Sequence, residues 1–303
     1  MFNIAQKQQS RFMTPGEGMF DIKPHDAASP EQAKAWIIPF GLEKTVSYGL
    51  GTRRGPQMTI HASHEMELFD EELWREPFRD FHVATFYEPH IPDDHQAALD
   101  LLSSYVREAM NAGKFPMTIG GEHSLTPGAI KPLTEKYPDL TILQFDAHGD
   151  LRDEFRGSRI SHANAMRRSL DFPGTKLVAV GIRSISRDEI PFWEENHDRI
   201  TTFFAKDKRK WTPEQIAQAV GKGPVYITFD IDCFDSSLIP ATGTPEPGGL
   251  FWDETMDILK AVTANAHIVG ADVVELAPHD AHHACDFLTA KLIYKILTMS
   301  LPR

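Results

Sequence analysis

The segment Phe145-Asp146-Ala147-His148-Gly149-Asp150 closes an apolar run, TILQF, with a carboxylate, an imidazole and a second carboxylate at alternate positions. On a strand, side chains at i, i+2 and i+4 share a face, so all three start on one side of the chain. Fully extended, the outer pair would be spread over about 13 Å, whereas two metal ions that share ligands sit only about 4 Å apart. If all three residues bind such a pair, the chain curls after Asp146, and Gly149 eases that curl. The plain alternative is a polar strand end with a surface Asp–His pair, and this fragment alone supports both.

Other apolar runs end in the same way. PMTIGG (116–121) leads into Glu122, His123 and Ser124; taken alone, His123 reads as readily as a structural hydrogen-bonder as a ligand. PVYITFDID (224–232) ends in Asp230 and Asp232, again two apart, before a long loop rich in Gly, Pro and Thr. HIVGADVVEL (267–276) places Glu275 near the end of an otherwise apolar strand. A buried carboxylate is costly unless paired, so a structural cation or a cationic ligand should meet Glu275. Together, His123, Asp146, His148, Asp150, Asp230 and Asp232 are a hard, oxygen-rich donor set. It suits Mn²⁺, with Ni²⁺ also acceptable, better than a thiolate-seeking zinc site. Four aspartates balance two divalent ions; without them the carboxylates repel one another.

Such a set needs elements that bring strand ends together. From Trp36 onward, short apolar runs alternate with amphipathic stretches such as DDHQAALDLLSSYVREAMNAG (93–113), with Asp at its start and Gly at its end. Further helices are expected near 127–136, 213–220, 253–265 and 286–299. Strands apolar on both faces, alternating with helices, predict an α/β fold: a mostly parallel sheet between helical layers. Ligands of such sheets bind at the carboxyl ends of the strands. Residues 1–35 read as an irregular N-terminal arm and 36–303 as one domain. A net charge of -12 argues against nucleic acid and anionic membranes and allows a cationic small molecule. Cys233 and Cys285 form no disulfide framework, and there is no signal-like or 18-residue apolar stretch, so a cytoplasmic protein is expected.

The motifs GGEHS, DAHGD, SHANAMRR, FDIDCFDSSLIPATGTPEPGG and DVVELAP closely resemble those of the ureohydrolases: arginase, agmatinase and relatives. The resemblance is collinear from about Trp36 to the C-terminus, and SYGLGTRRGP (47–56) is similar to the family's first active-site loop. It implies a three-layer α/β/α fold holding two Mn²⁺ ions and cleaving a guanidinium group to urea. By position, Asp146 and Asp230 would bridge the ions, with His123 and Asp150 on one and His148 and Asp232 on the other. Asp150 would aim the nucleophile, Glu275 would pair with the guanidinium, and His162 would carry a proton to the leaving amine.

The stretch DLRDEFRGSRISHANAMRR looks more like agmatinases than arginases. Asp153 and Glu154 in it favour a dication such as agmatine, while Arg152 and Arg156 pull the other way. Aminopropylagmatine, guanidinobutyrate, arginine and guanidine remain alternatives, as does a non-catalytic metal-binding member. A binuclear phosphoesterase would want cations beside the metals, where Glu275 supplies an anion. The resemblance also implies a homo-oligomer, trimer or hexamer. His279, His282 and His283 read as a solvated loop rather than a pocket mouth, and Cys233 as packing.

Overall fold

The computed structural model describes residues 11–301. Eight strands form one sheet: β1 (Ala35–Phe40), β2 (Val83–Thr85), β3 (Phe115–Gly120), β4 (Thr141–Phe145), β5 (Lys176–Val180), β6 (Ile200–Phe203), β7 (Pro224–Asp230) and β8 (His267–Val274). Their order is β2-β1-β3-β8-β7-β4-β5-β6, and every neighbouring pair is parallel. The last two strands of the chain are therefore inserted between β3 and β4.

The helices are α1 (Gly55–Ser63), α2 (Phe78–Phe81), α3 (His95–Asn111), α4 (Thr126–Lys136), α5 (Ala165–Ser169), α6 (Ile190–Glu195), α7 (Pro213–Val220), α8 (Trp252–Thr263) and α9 (His283–Ser300). Alternate strand residues feed two cores. Ile37, Leu143, Phe145, Ile227 and Phe229 pack with Ile60 of α1, Ile216 of α7, Leu259 of α8 and Ile293 of α9. Ile38, Ile142 and Tyr226 pack with Leu102 of α3, Ile130 of α4 and Met166 of α5. Burial on both faces is why these strands read as continuous apolar runs rather than alternating ones. The expected three layers are present.

The two edge strands escape a search for apolar runs. VAT and ITTF are three and four residues long, and ITTF is only partly buried. α1 begins inside the segment read as a loop, with Pro56 in its first turn, where the missing N–H costs nothing. Residues 11–34 are irregular yet anchored: the Met19 and Phe20 amides donate to Thr85 and Ser63 side chains, and Phe20 packs edge-on against Tyr294. Residues 1–10 of the expected arm lie outside the described residues.

Candidate active site

The carboxyl ends of four central strands, β3, β8, β7 and β4, converge. His123 opens a short 3-10 turn (His123–Leu125) after β3, Asp146 follows β4 directly, Asp230 ends β7 and Asp232 lies in the 3-10 turn Ile231–Cys233. The chain does curl after Asp146, but not through Gly149: the left-handed residue is Asp150 itself, at φ 53. Gly149 leaves room for Glu189, whose Oε1 a Cβ there would approach to 3.1 Å. Glu275 is also left-handed, at φ 68. Positive φ is uncommon for residues other than glycine, and here it falls on two carboxylates that face one cavity.

Asp146 stands between the two imidazoles. Its Oδ2 lies 3.1 Å from His123 Nδ1 and its Oδ1 3.6 Å from His148 Nδ1. His123 Nδ1 is also 3.1 Å from Asp150 Oδ2 and 3.5 Å from Asp230 Oδ2; His148 Nδ1 is 2.9 Å from Asp232 Oδ2. Two groups result, His123–Asp146–Asp150 and Asp146–His148–Asp232, with donor atoms within 4.8 Å of one another in each. Asp146 belongs to both. Asp230 stands beside the first group and accepts the Asp232 amide on its Oδ1.

The His123 tautomer suits metal ligation. The Thr228 hydroxyl donates to Asp272 Oδ1 (2.6 Å), so it must accept from His123 Nε2–H (2.8 Å). In the neutral ring that puts the lone pair on His123 Nδ1, which is buried and ringed by three carboxylates. A lone pair amid carboxylate oxygens is repelled unless a cation sits between them, so the residues fit divalent ions.

The proton affinities agree. Burial first, then Asp146, pushes Asp150 up to about 7. Burial, then Asp232 and Asp146, drives Asp230 well above the carboxylate range. Burial and Glu122 do the same to Glu275. Burial would lower His123 and His148, but the surrounding aspartates outweigh it and raise both. Asp146 is lowered: burial opposes ionisation there, and the two imidazoles overcome it. A cluster in which nearly every group holds protons too tightly carries excess negative charge, which a divalent cation would satisfy.

A cavity of about 310 Å³ opens beside the cluster, lined by His123, His148, Asp150, Asp230, Asp232, His162 and Glu275. Glu275 Oε1 accepts the His123 amide at 2.7 Å, while Oε2 accepts no hydrogen bond from the described residues. His162 is half-buried in the cavity wall. Thr45 Oγ1 donates to Glu122 Oε1 (2.7 Å), so it accepts from His162 Nδ1–H at 3.1 Å. The lone pair of His162 is therefore on Nε2. Burial, ahead of nearby charges, lowers the proton affinity of His162, which favours the neutral ring.

Asp153 and Glu154, expected to read the far end of a substrate, are not brought into the cavity. Asp153 is exposed and held by Arg168 (2.7 Å) and Arg159 (3.0 Å), and Glu154 points to solvent. Charges six to fifteen residues away in sequence neutralise Asp153 locally. His279, His282 and His283 are exposed and away from the cavity lining, and Cys233 is fully buried.

Sequence reading passed over Thr45, Thr228 and Asp272, which set the two tautomers. Asp272 is fully buried and accepts from Thr126, Thr228 and Tyr226. Its signal was available: an aspartate in the middle of HIVGADVVEL must be paired with something.

The chain matches the model of the arginase family over residues 33–299. It is 35% identical over 293 residues to an N(1)-aminopropylagmatine ureohydrolase of Synechocystis sp., covering 94% of each chain. It is 36% identical to an agmatinase of Bacillus anthracis, covering 88% of this chain and 91% of that one. Among solved structures, agmatine ureohydrolase of Thermoplasma volcanium superposes with a TM-score of 0.81 at 28% identity, covering 91% and 92% of the two chains.

Proposed function

The chain belongs to the arginase family and is a guanidine-cleaving ureohydrolase, and from that premise we propose that it converts agmatine and water to putrescine and urea. The observation that carries the reading is Glu275: a buried carboxylate, one oxygen fixed by the His123 amide and the other free, beside a cluster suited to cations. A guanidinium docked on that oxygen forms a charge-assisted pair and holds its carbon over the cluster.

His123, Asp146, His148, Asp150, Asp230 and Asp232 would hold two divalent ions, Mn²⁺ by preference for oxygen donors. When bound, the ions supply Lewis acidity, making a water nucleophilic near neutrality. Asp150, locked in its left-handed turn, would accept a hydrogen bond from the attacking water and aim it. Glu275 keeps the guanidinium from rotating. His162, neutral and with its lone pair on Nε2, takes up a proton and passes it to the departing amine. The carbon–nitrogen bond breaks as the amine leaves, and urea remains.

Agmatine is favoured by the acidic cavity, by the protein's net charge of -12 and by likeness to agmatinases. A competition assay measuring putrescine against ornithine tests it. Agmatine should be consumed at least about 100-fold faster than arginine at equal low concentration, a gap of about 2.7 kcal/mol in transition-state binding. Ornithine as main product would refute agmatine while leaving the ureohydrolase in place. Aminopropylagmatine is the second reading, favoured by the 94% coverage of the Synechocystis relative; the same assay with that substrate separates the two.

The chain is read as cytoplasmic because Cys233 and Cys285 are buried and unpaired, and as a homo-oligomer, trimer or hexamer, by family likeness. No described helix is long and apolar enough to cross a membrane.

A further inference from the structure

We infer that Glu246 is the anchor for the substrate's distal ammonium, an assignment that rests on the cationic-tailed substrate proposed above. Glu246 lines the same cavity as the cluster and is half-buried. Of the other carboxylates of that wall, Glu189 accepts the Leu151 and Ser186 amides, Asp150, Asp230 and Asp232 belong to the cluster, and Glu275 is assigned to the guanidinium. Among the described residues, nothing bonds or pairs with the Glu246 carboxylate. An unpaired anion in a cavity wall is where a mobile cation settles.

Its backbone is immobilised, which makes it an anchor rather than a loose surface charge. Arg183 Nη2 donates to the Glu246 carbonyl at 2.8 Å and to the carbonyl of Asp232 at 2.7 Å. One guanidinium nitrogen thus ties Glu246 directly to a residue of the metal cluster. Arg183 Nε also holds the Pro247 carbonyl, Asp235 accepts the Gly248 and Gly249 amides, and the Gly243 carbonyl accepts from Gly49. The loop from Gly243 to Gly249 is therefore fastened before, at and after Glu246. A preorganised charge loses little entropy on binding.

Arg152 also lines the cavity, with its guanidinium 5.2 Å from the Phe155 ring centre. It repels a tail ammonium, leaving Glu246 as the favourable end.

The test compares Glu246→Gln with wild type on agmatine and on n-butylguanidine, the same chain without the amine, the latter measured as a competitive inhibitor of agmatine hydrolysis. The expected result is a KM for agmatine raised about 10-fold or more, a kcat within about twofold, and an unchanged Ki for n-butylguanidine. An unchanged KM for agmatine overturns the assignment. So does an equal loss of both ligands, which marks a structural role. Failure of the substrate reading shows elsewhere, in the wild type: preference for 4-guanidinobutyrate or arginine over agmatine would overturn both, whereas wild-type agmatine preference retained in Glu246→Gln overturns the anchor alone.

Discussion

Removing divalent cations with a chelator should leave a protein that grows less stable as pH rises from about 5 to 8. Burial and Asp146 hold Asp150 at about 7, against its usual 3.8. The folded chain keeps a proton there that the unfolded chain gives up near pH 4, and wherever the folded state binds more protons, stability falls with rising pH. At 1.36 kcal/mol for each pH unit between the two values, ionised Asp150 costs the chelated fold about 4 kcal/mol above pH 7.

His123 and His148 act in the same direction. Both are raised, so their contribution is complete below the usual histidine value and is lost as pH climbs through the folded one. Asp146 is lowered; its contribution, lost only on strong acidification, is already complete across this window. Divalent ions bind the deprotonated donors, so the gain in Tm on adding Mn²⁺ should increase with pH. Calorimetry of chelated and Mn²⁺-loaded protein between about pH 5.5 and 8, on wild type and Asp150→Asn, measures each term. Asparagine tolerates the left-handed backbone, so chelated Asp150→Asn should be the more stable protein at pH 8 by up to about 4 kcal/mol, though catalytically disabled when loaded. A chelated wild type whose Tm is flat or rises with pH, or the same slope in Asp150→Asn, refutes the reasoning.

Glu275→Gln should keep its metal and the fold but lose at least about 100-fold in kcat/KM, because a charge-assisted pair is worth about 1.5–3 kcal/mol and misplacing the guanidinium carbon adds to that; metal loss by elemental analysis would give Glu275 a different job. Asp230→Asn should lose most activity and part of the bound metal, and wild-type turnover would count against Asp230 as a ligand. Thr45→Val removes the acceptor that fixes His162 Nδ1–H, so kcat should fall about 10-fold or more with its pH profile displaced, whereas a change confined to KM would contradict the tautomer argument. Asp153→Asn should change kcat/KM for agmatine by less than about threefold, since its carboxylate is spent on Arg168 and Arg159 outside the cavity.

The convergence of carboxylates and imidazoles was legible because strands buried on both faces stop being apolar at Asp146 and Asp230, at the same end of the sheet. The central strands were legible for the same cause. β2 and β6 were not, since short edge strands bury too little to leave an apolar run. Spacing also shows which residues share a face but not which partner a charge takes. Asp153, next but two to a cluster residue, turned to arginines of its own surface. Glu246, far along the chain from most of the cluster, was carried to the cavity by Arg183, a contact between separate strand ends that no local pattern encodes.

The strand order has a consequence for how the protein is made. β3 and β4 do not touch; β8 and β7, the last strands to leave the ribosome, fill the space between them. Until β8 has emerged, no pairing can join β2-β1-β3 to β7-β4-β5-β6, so His123 belongs to one set of strands and Asp146, His148, Asp150, Asp230 and Asp232 to the other. The sheet closes from its middle and at the end of translation, through pairings between residues far apart in sequence, which form slowly. A chain stalled or truncated before β8 therefore carries the candidate ligands without the assembled site, and its inner edges of β3 and β7 are the surfaces a chaperone would have to cover.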